Sequence, residues 1–341
     1  MSRAAADPDT PAVVEPGRYC PTHYRYAPSV LAREPDLHAD TLFVIGGLYG
    51  NAPALERVLD LANAEPGGAT LVFNGDFNWF NIDAEAFAAI NRAVLRHVAT
   101  RGNVETELGG DDADAGCGCA YPEGVSNAEV ERSNAIIMRL RETAHAFPTV
   151  RRELGALPMH LVAEVAGTRI GIVHGDAESL AGWSYAQDAL AKPEGVQRMR
   201  SQIEAAQVRI IASSHTCLPV GLALETAAGS AAVFNNGAAG MPNFLGTRYG
   251  VVTRISTRAA QHALYGTRIG AVHVEALAVH YDHARWIEAF LANWPQGSPA
   301  HASYFGRLTH GPSYDLETAM RDRVSPSAGD RPIAHSVRST R

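Results

Sequence analysis

Residues 41–76 read TLFVIGGLYGNAPALERVLDLANAEPGGATLVFNGD. The apolar run Thr41 to Ile45 has the length and β-branched character of a buried strand. A Gly-rich loop follows, and Pro53, placed at a helix start, introduces a helix over Ala54 to Ala64. The unit then repeats. Ala69 to Phe73 (ATLVF) predicts a second strand, Asn74 to Asn81 a loop, and Asp83 the N-cap of a helix running to about Val98. Strands alternating with helices predict a layered α/β sheet.

Outward from this stretch the texture changes on both sides. Pro8, Pro11, Pro16, Pro21, Pro28 and Pro35 block regular helix and central strand over residues 1–40, which read as an arm lying on the domain. Asp111 to Gly124, with Cys117-Gly118-Cys119, has no apolar period and reads as an inserted loop, bounded overall at 106–127. Ser126 and Glu129 have capping-box spacing for a helix resuming at Ala128. His160 to Val165 and Arg169 to Val173 predict a hairpin across Ala166-Gly167-Thr168, ending in His174-Gly175-Asp176. Further strands are expected at Arg209 to Ala212, Ala231 to Asn235, Tyr249 to Ile255 and Ala271 to Tyr281. The main domain is therefore set at 41–282. An amphipathic helix, His283 to Asn293, then opens a C-terminal extension, 283–341, that frays from about Arg323.

Of the 341 residues 46% are apolar, enough for an ordinary globular core, and no run approaches the roughly 18 apolar residues of a membrane helix. The 29 Lys and Arg against 36 Asp and Glu give −7, and nowhere do basic residues cluster with aromatics, which argues against duplex nucleic acid as a partner. Four scattered cysteines do not make a disulfide scaffold, and the first residues lack the apolar stretch of a secretory signal, so a cytoplasmic setting is expected.

Potential metal ligands recur where the apolar strands end: Asp76 after LVFNG, Asn103 after ATRG, His174 after IGIV and His215 after IIASS. In open α/β sheets the loops beyond strand C-termini form the ligand crevice, so these four could converge on one cavity. A carboxylate, an amide oxygen and two imidazoles suit a divalent ion such as Mn²⁺, Fe²⁺ or Zn²⁺.

Six blocks, in order, sharpen this reading: Gly47-Leu48-Tyr49-Gly50-Asn51, Gly75-Asp76, Gly102-Asn103-Val104-Glu105, His174-Gly175-Asp176, Ser214-His215-Thr216-Cys217, and Asn235-Asn236-Gly237-Ala238-Ala239-Gly240-Met241-Pro242. Together they resemble the motifs of the calcineurin-like metallophosphoesterases: D-x-H-G-N, G-D, G-N-[HC]-[DE], a strand-end histidine, G-H-T-H and N-P-G-S-x-G-x-P. The resemblance implies a β-sandwich flanked by helices, two metals at the strand ends, and a phosphate ester as substrate.

By that resemblance the first metal would take Gly47, Tyr49, Asp76 and Cys217, so three of its four ligand positions are altered. The second would take Asp76, Asn103, His174 and His215, all retained. The expectation is one divalent ion per chain. Tyr49 would ligate only as a phenolate. A first site rebuilt from Cys217, Cys117 and Cys119 is the competing arrangement. The family's general-acid histidine corresponds to Val104, which cannot transfer a proton.

Arg101, Asn236 and the backbone of Gly237 and Ala238 are candidate phosphate contacts. Trp79, Phe80 and Trp183 could stack an aromatic leaving group or pack in the core, and Asn51 could orient a ligand or a water. The function expected is a metal-dependent phosphoesterase acting on a small phosphomonoester or phosphodiester. The alternative is a non-catalytic module that binds a phosphorylated ligand or a protein partner.

Overall fold

The computed structural model describes residues 15–111 and 114–322. In chain order, β1 (Leu37–His38) precedes the predicted strand TLFVI, β2 (Thr41–Ile45). The helix α1 (Ala52–Ala64) begins where Asn51 caps it, its side chain accepting from the Ala54 amide at 2.9 Å. Then come β3 (Thr70–Asn74), α2 (Ala84–Val94), β4 (Val98–Thr100), α3 (Asn103–Gly109), α4 (Asn127–His145) and α5 (Pro148–Ala156). The predicted hairpin is β5 (His160–Val165) with β6 (Thr168–Val173), followed by α6 (Pro193–Ala206), β7 (Ile210–Ser213), β8 (Val220–Thr226) and β9 (Gly229–Asn235). The chain closes with β10 (Gly250–Ser256), β11 (Ala263–Ile269), β12 (Val272–Val279), α7 (His283–Asn293), α8 (Pro299–His310) and β13 (Met320–Asp322).

The strands form two sheets, ordered β1-β5-β6-β7-β9-β8-β13 and β11-β12-β10-β2-β3-β4. Strand β2 explains how they layer. Leu42 and Val44 belong to a core shared with Ile170, Ile172, Ile210 and Phe234 of the other sheet. Phe43 and Ile45 point the opposite way, into a core with Val58 of α1, Phe87 of α2 and Phe290 of α7. Period-two alternation with both faces apolar is what makes TLFVI a central strand. On the far side Val173, Ile211 and Val233 pack against Met199 and Ile203 of α6. The architecture is therefore a β-sandwich with helices on both outer faces.

Two local expectations change. The helix from Asp83 ends at Val94, and Val98–Thr100 turns into an edge strand parallel to β3. Past it, Asn103–Gly109 is helical with Val104 and Leu108 fully buried, so the start of the expected insertion at residue 106 continues α3. Strands β8, β11 and β13 and the helices α5, α6 and α8 carried no expectation. The segment around Pro299 is helix α8, capped by Ser298 and led by Pro299. The fraying expected from Arg323 lies outside the described residues.

Of the expected arm, residues 15–40 carry two short 3-10 turns that bury Tyr24 and Leu31 completely, and β1 runs parallel to β5. No helix among the described residues is long and apolar enough to cross a membrane.

Candidate metal centre

Parallel pairing brings the ligand-bearing loops to one edge. β2, β3 and β4 run parallel in one sheet, and β6, β7 and β9 in the other. Asp76 leaves β3, Asn103 opens α3 after β4, His174 leaves β6 and His215 leaves β7. Asp76 has φ +54°, a left-handed backbone that a non-glycine residue adopts only when its surroundings hold it there. Tyr49 (+58°) and Cys217 (+61°) share this geometry.

The four predicted donors meet. His174 Nε2 lies 3.3 Å from Asp76 Oδ2, 3.2 Å from Asn103 Oδ1 and 3.2 Å from His215 Nδ1. One donor atom each of Asp76, His174 and His215 fall within 4.8 Å of one another, and all three residues are buried. Bonds of about 2.0–2.2 Å to a common ion would set neighbouring ligand atoms roughly 3–3.4 Å apart. The three distances from His174 Nε2 fall in that range.

Hydrogen bonding on the outside fixes which atoms face in. His174 Nδ1 is 2.9 Å from the Asn74 carbonyl, so it carries the proton and leaves Nε2 a lone pair. His215 Nε2 donates to the Cys119 carbonyl at 3.0 Å, leaving Nδ1 a lone pair. Asn103 Nδ2 donates to the Cys117 carbonyl at 2.8 Å, which turns Oδ1 inward. Asp76 Oδ1 accepts from the Val104 amide at 3.2 Å, leaving Oδ2 for the centre. With both imidazoles neutral, four buried lone-pair atoms therefore face each other with no hydrogen between them. That is costly unless a cation sits among them, and so the residues fit a divalent ion.

The charges agree. Burial pulls the Asp76 carboxyl up, but His174, then His215 and the Val104 amide, outweigh it and hold Asp76 below its ordinary value. For His174, burial opposes the charged form, yet Asp76 and the Asn74 carbonyl hold it above the usual histidine value. Burial and then His174 push His215 down to about 4. Beneath the centre, Glu105 accepts from the amides of Asp76 (2.7 Å), Phe77 (3.1 Å) and Gly102 (3.0 Å), clamping the two ligand loops together. Burial and then Asp76 push its carboxyl up to about 7.

The other flank is built differently. A Cβ added to Gly47 would stand 2.9 Å from Cζ and Oη of Tyr49, so the Tyr49 ring fills that space. Its hydroxyl is 2.9 Å from Cys217 Sγ, and Sγ in turn donates to the His215 carbonyl at 3.3 Å. Burial, then Cys217 and Asp76, hold the Tyr49 phenol well above its ordinary value, and burial raises the Cys217 thiol. Burial thus favours the neutral form of both side chains. Among the described residues Cys117, Cys119 and Cys217 join no second group of three close donor atoms. The Cys117–Cys119 segment contributes its two carbonyls and the Cys119 sulfur, which accepts from Asn103 Nδ2 at 3.6 Å.

The remaining candidates divide. Arg101 does not reach the centre. Its Nη1 donates to the Gly155 carbonyl at 2.5 Å, and it lines a separate cavity with Tyr19 and His23. Asn236 donates to the carbonyls of Gly46 and Val251, while the Gly237 and Ala238 amides are taken by Asn235 and Asn243. None of the three is free to bind phosphate. Asn51 caps α1 and donates to the Gly240 carbonyl. Phe80 is core, edge-on to Phe290.

The donor set opens into a cavity of about 190 Å³ walled by Trp79, Tyr121, Trp183, Tyr304 and Arg307, with Tyr49 and Cys217 at one side. Tyr304 and Arg307 come from α8. Sequence reasoning missed them, and the signal for α8 was the Ser298-Pro299 helix start.

Two solved structures share this architecture. A hypothetical protein from Pyrococcus horikoshii OT3 aligns with a TM-score of 0.56 at 16% identity, over 81% of this chain and 99% of that one. A metallophosphoesterase from Sphaerobacter thermophilus aligns with 0.51 at 16% identity, over 80% and 100%. The chain has the calcineurin-like metallophosphoesterase fold. No family model and no curated protein matches the sequence. Within the metallophosphoesterase fold, this cleft keeps four converging donors on one flank and none of the expected ligands but Asp76 on the other.

Proposed function

We propose that the chain is a metal-dependent phosphoesterase that holds one divalent ion at Asp76, Asn103, His174 and His215 and acts on a small phosphorylated substrate. The observation that carries this reading is the set of four inward lone pairs, each side chain fixed by a hydrogen bond on its outward side. A divalent ion there would supply Lewis-acid chemistry, offsetting phosphoryl charge and acidifying water. The protein's own part is positional. The Cys117 and Cys119 carbonyls fix the Asn103 amide and the His215 tautomer, Asn74 fixes that of His174, and the aromatic walls limit water around the bound ester.

In hydrolysis one P–O bond to water forms as the bond to the leaving group breaks. Val104, fully buried, offers that group no proton. Turnover is therefore expected to favour esters whose leaving groups depart as anions. The test is a panel of p-nitrophenyl and alkyl phosphate esters and cyclic nucleotides with Mn²⁺, Fe²⁺ or Zn²⁺, on wild type, Asp76→Asn and His215→Ala. Metal-dependent turnover lost in both variants supports the reading. Rates indistinguishable in all three proteins, with ion bound, favour the non-catalytic module.

A further inference from the structure

We infer that Arg307 is the second cationic pole of the cleft, and that the site takes a phosphate monoester as its dianion, one phosphoryl oxygen facing the four-donor centre and another on Arg307. The inference rests on the reading above and adds the substrate's charge state and the residue that recognises it.

Among the described residues, Arg307 is the only lysine or arginine lining the cavity that holds Asp76, Asn103 and His215. Its guanidinium is already aimed. Nε donates to the Pro242 carbonyl at 3.0 Å and Nη2 to the Cys217 carbonyl at 2.6 Å. Two of its five N–H groups are used, leaving three, among them the pair on Nη1 and one on Nη2 that together form a fork. Both partners are neutral carbonyls, so the charge is not cancelled. On the adjacent flank Tyr49 and Cys217 hydrogen-bond each other at 2.9 Å.

Counting charge decides between ester classes. Among the groups lining the cavity Asp76 contributes −1 and Arg307 +1, so with a divalent ion the lining carries +2; Glu105 lies behind Asp76, outside the lining, its carboxylate taken up by three backbone amides. A phosphomonoester at neutral pH carries close to −2, and a diester −1. Size points the same way. About 190 Å³ is below the roughly 300–1,000 Å³ of cavities that enclose drug-sized ligands, and suits a phosphoryl group with a compact leaving group among aromatic walls.

The experiment is calorimetric titration of inorganic phosphate into the Mn²⁺-loaded full chain, for wild type, Arg307→Lys and Arg307→Gln, with ion content measured on the same samples. Arg307→Gln should weaken phosphate about 10- to 100-fold with the ion count unchanged, and Arg307→Lys should fall between. A third variant, Arg307→Ala, should recover part of the lost affinity when guanidinium is added at millimolar concentration, which a purely structural role would not produce. Phosphate bound equally by wild type and Arg307→Gln, with metal-dependent turnover intact, overturns this inference alone. A wild type that takes up the ion yet neither binds phosphate nor hydrolyses any ester overturns the proposed function with it.

Discussion

The two flanks of the cleft lie side by side and are held in the same way, by strained loops at strand ends, yet they present opposite chemistry. On one flank Asp76, Asn103, His174 and His215 turn four lone pairs toward a common point. On the other, Tyr49 and Cys217 hydrogen-bond each other and close the space with groups whose neutral form burial favours. Both arrangements satisfy burial, but only the first leaves electrostatic demand unmet inside the protein. The difference teaches that the flank with altered positions is packed rather than merely missing ligands, and that four converging donors stand beside it.

The largest effect should come from the donor flank. His174→Ala and Asp76→Asn should each weaken ion binding by about 10³-fold or more, beyond the 10–100-fold typical of outer hydrogen-bond partners, as read by metal titration. Should either variant keep wild-type affinity, the convergence of donors has no bearing on the ion. Next, Glu105→Gln removes the charge that three backbone amides share. It should cost about 1.5–3 kcal/mol in chemical denaturation and weaken the ion 10–100-fold, because both ligand loops hang on it.

Acidity separates the two histidines within that flank. In the ion-free folded chain the His174 proton is held more tightly than in the unfolded chain. It therefore stabilises the fold below the ordinary histidine value, and this contribution disappears as pH rises through the raised one. An incoming ion must displace that proton, whereas His215, at about 4, is already neutral. Ion affinity should thus rise about tenfold per pH unit below the raised His174 value and then level off. A hundredfold rise per unit would mean that both imidazoles are protonated and would break the assignment.

The smallest effect belongs to the packed flank. Tyr49→Phe deletes one O–H···S contact and should cost about 0.5–1.5 kcal/mol with the ion count unchanged. Loss of the ion in this variant would show that the flanks are not independent.

Much of this was legible in the chain. TLFVI announced a central strand because its apolar residues cover both faces, and Ser126 with Glu129 announced the start of α4, where the capping bonds form. The four donors were legible because each directly ends or follows a strand. What was hidden depended on contacts between distant segments. Val98–Thr100 is a three-residue strand whose apolar pattern runs on from the preceding helix, and only pairing with β3 defines it. Arg101 sits beside Asn103 in sequence yet turns to Gly155, while Arg307, about two hundred residues away, reaches the cavity. The amides of Gly237 and Ala238 were candidates until the side chains of Asn235 and Asn243 occupied them.

The central claim is that one flank binds a single ion and the other binds none. Its most direct measurement is metal content per chain by mass spectrometry after purification without chelator and dialysis against Mn²⁺, Fe²⁺ or Zn²⁺, with His215→Ala and Cys217→Ser alongside. The account predicts one ion in wild type and in Cys217→Ser, and none in His215→Ala. Two ions in wild type, one of them lost in Cys217→Ser, would contradict it.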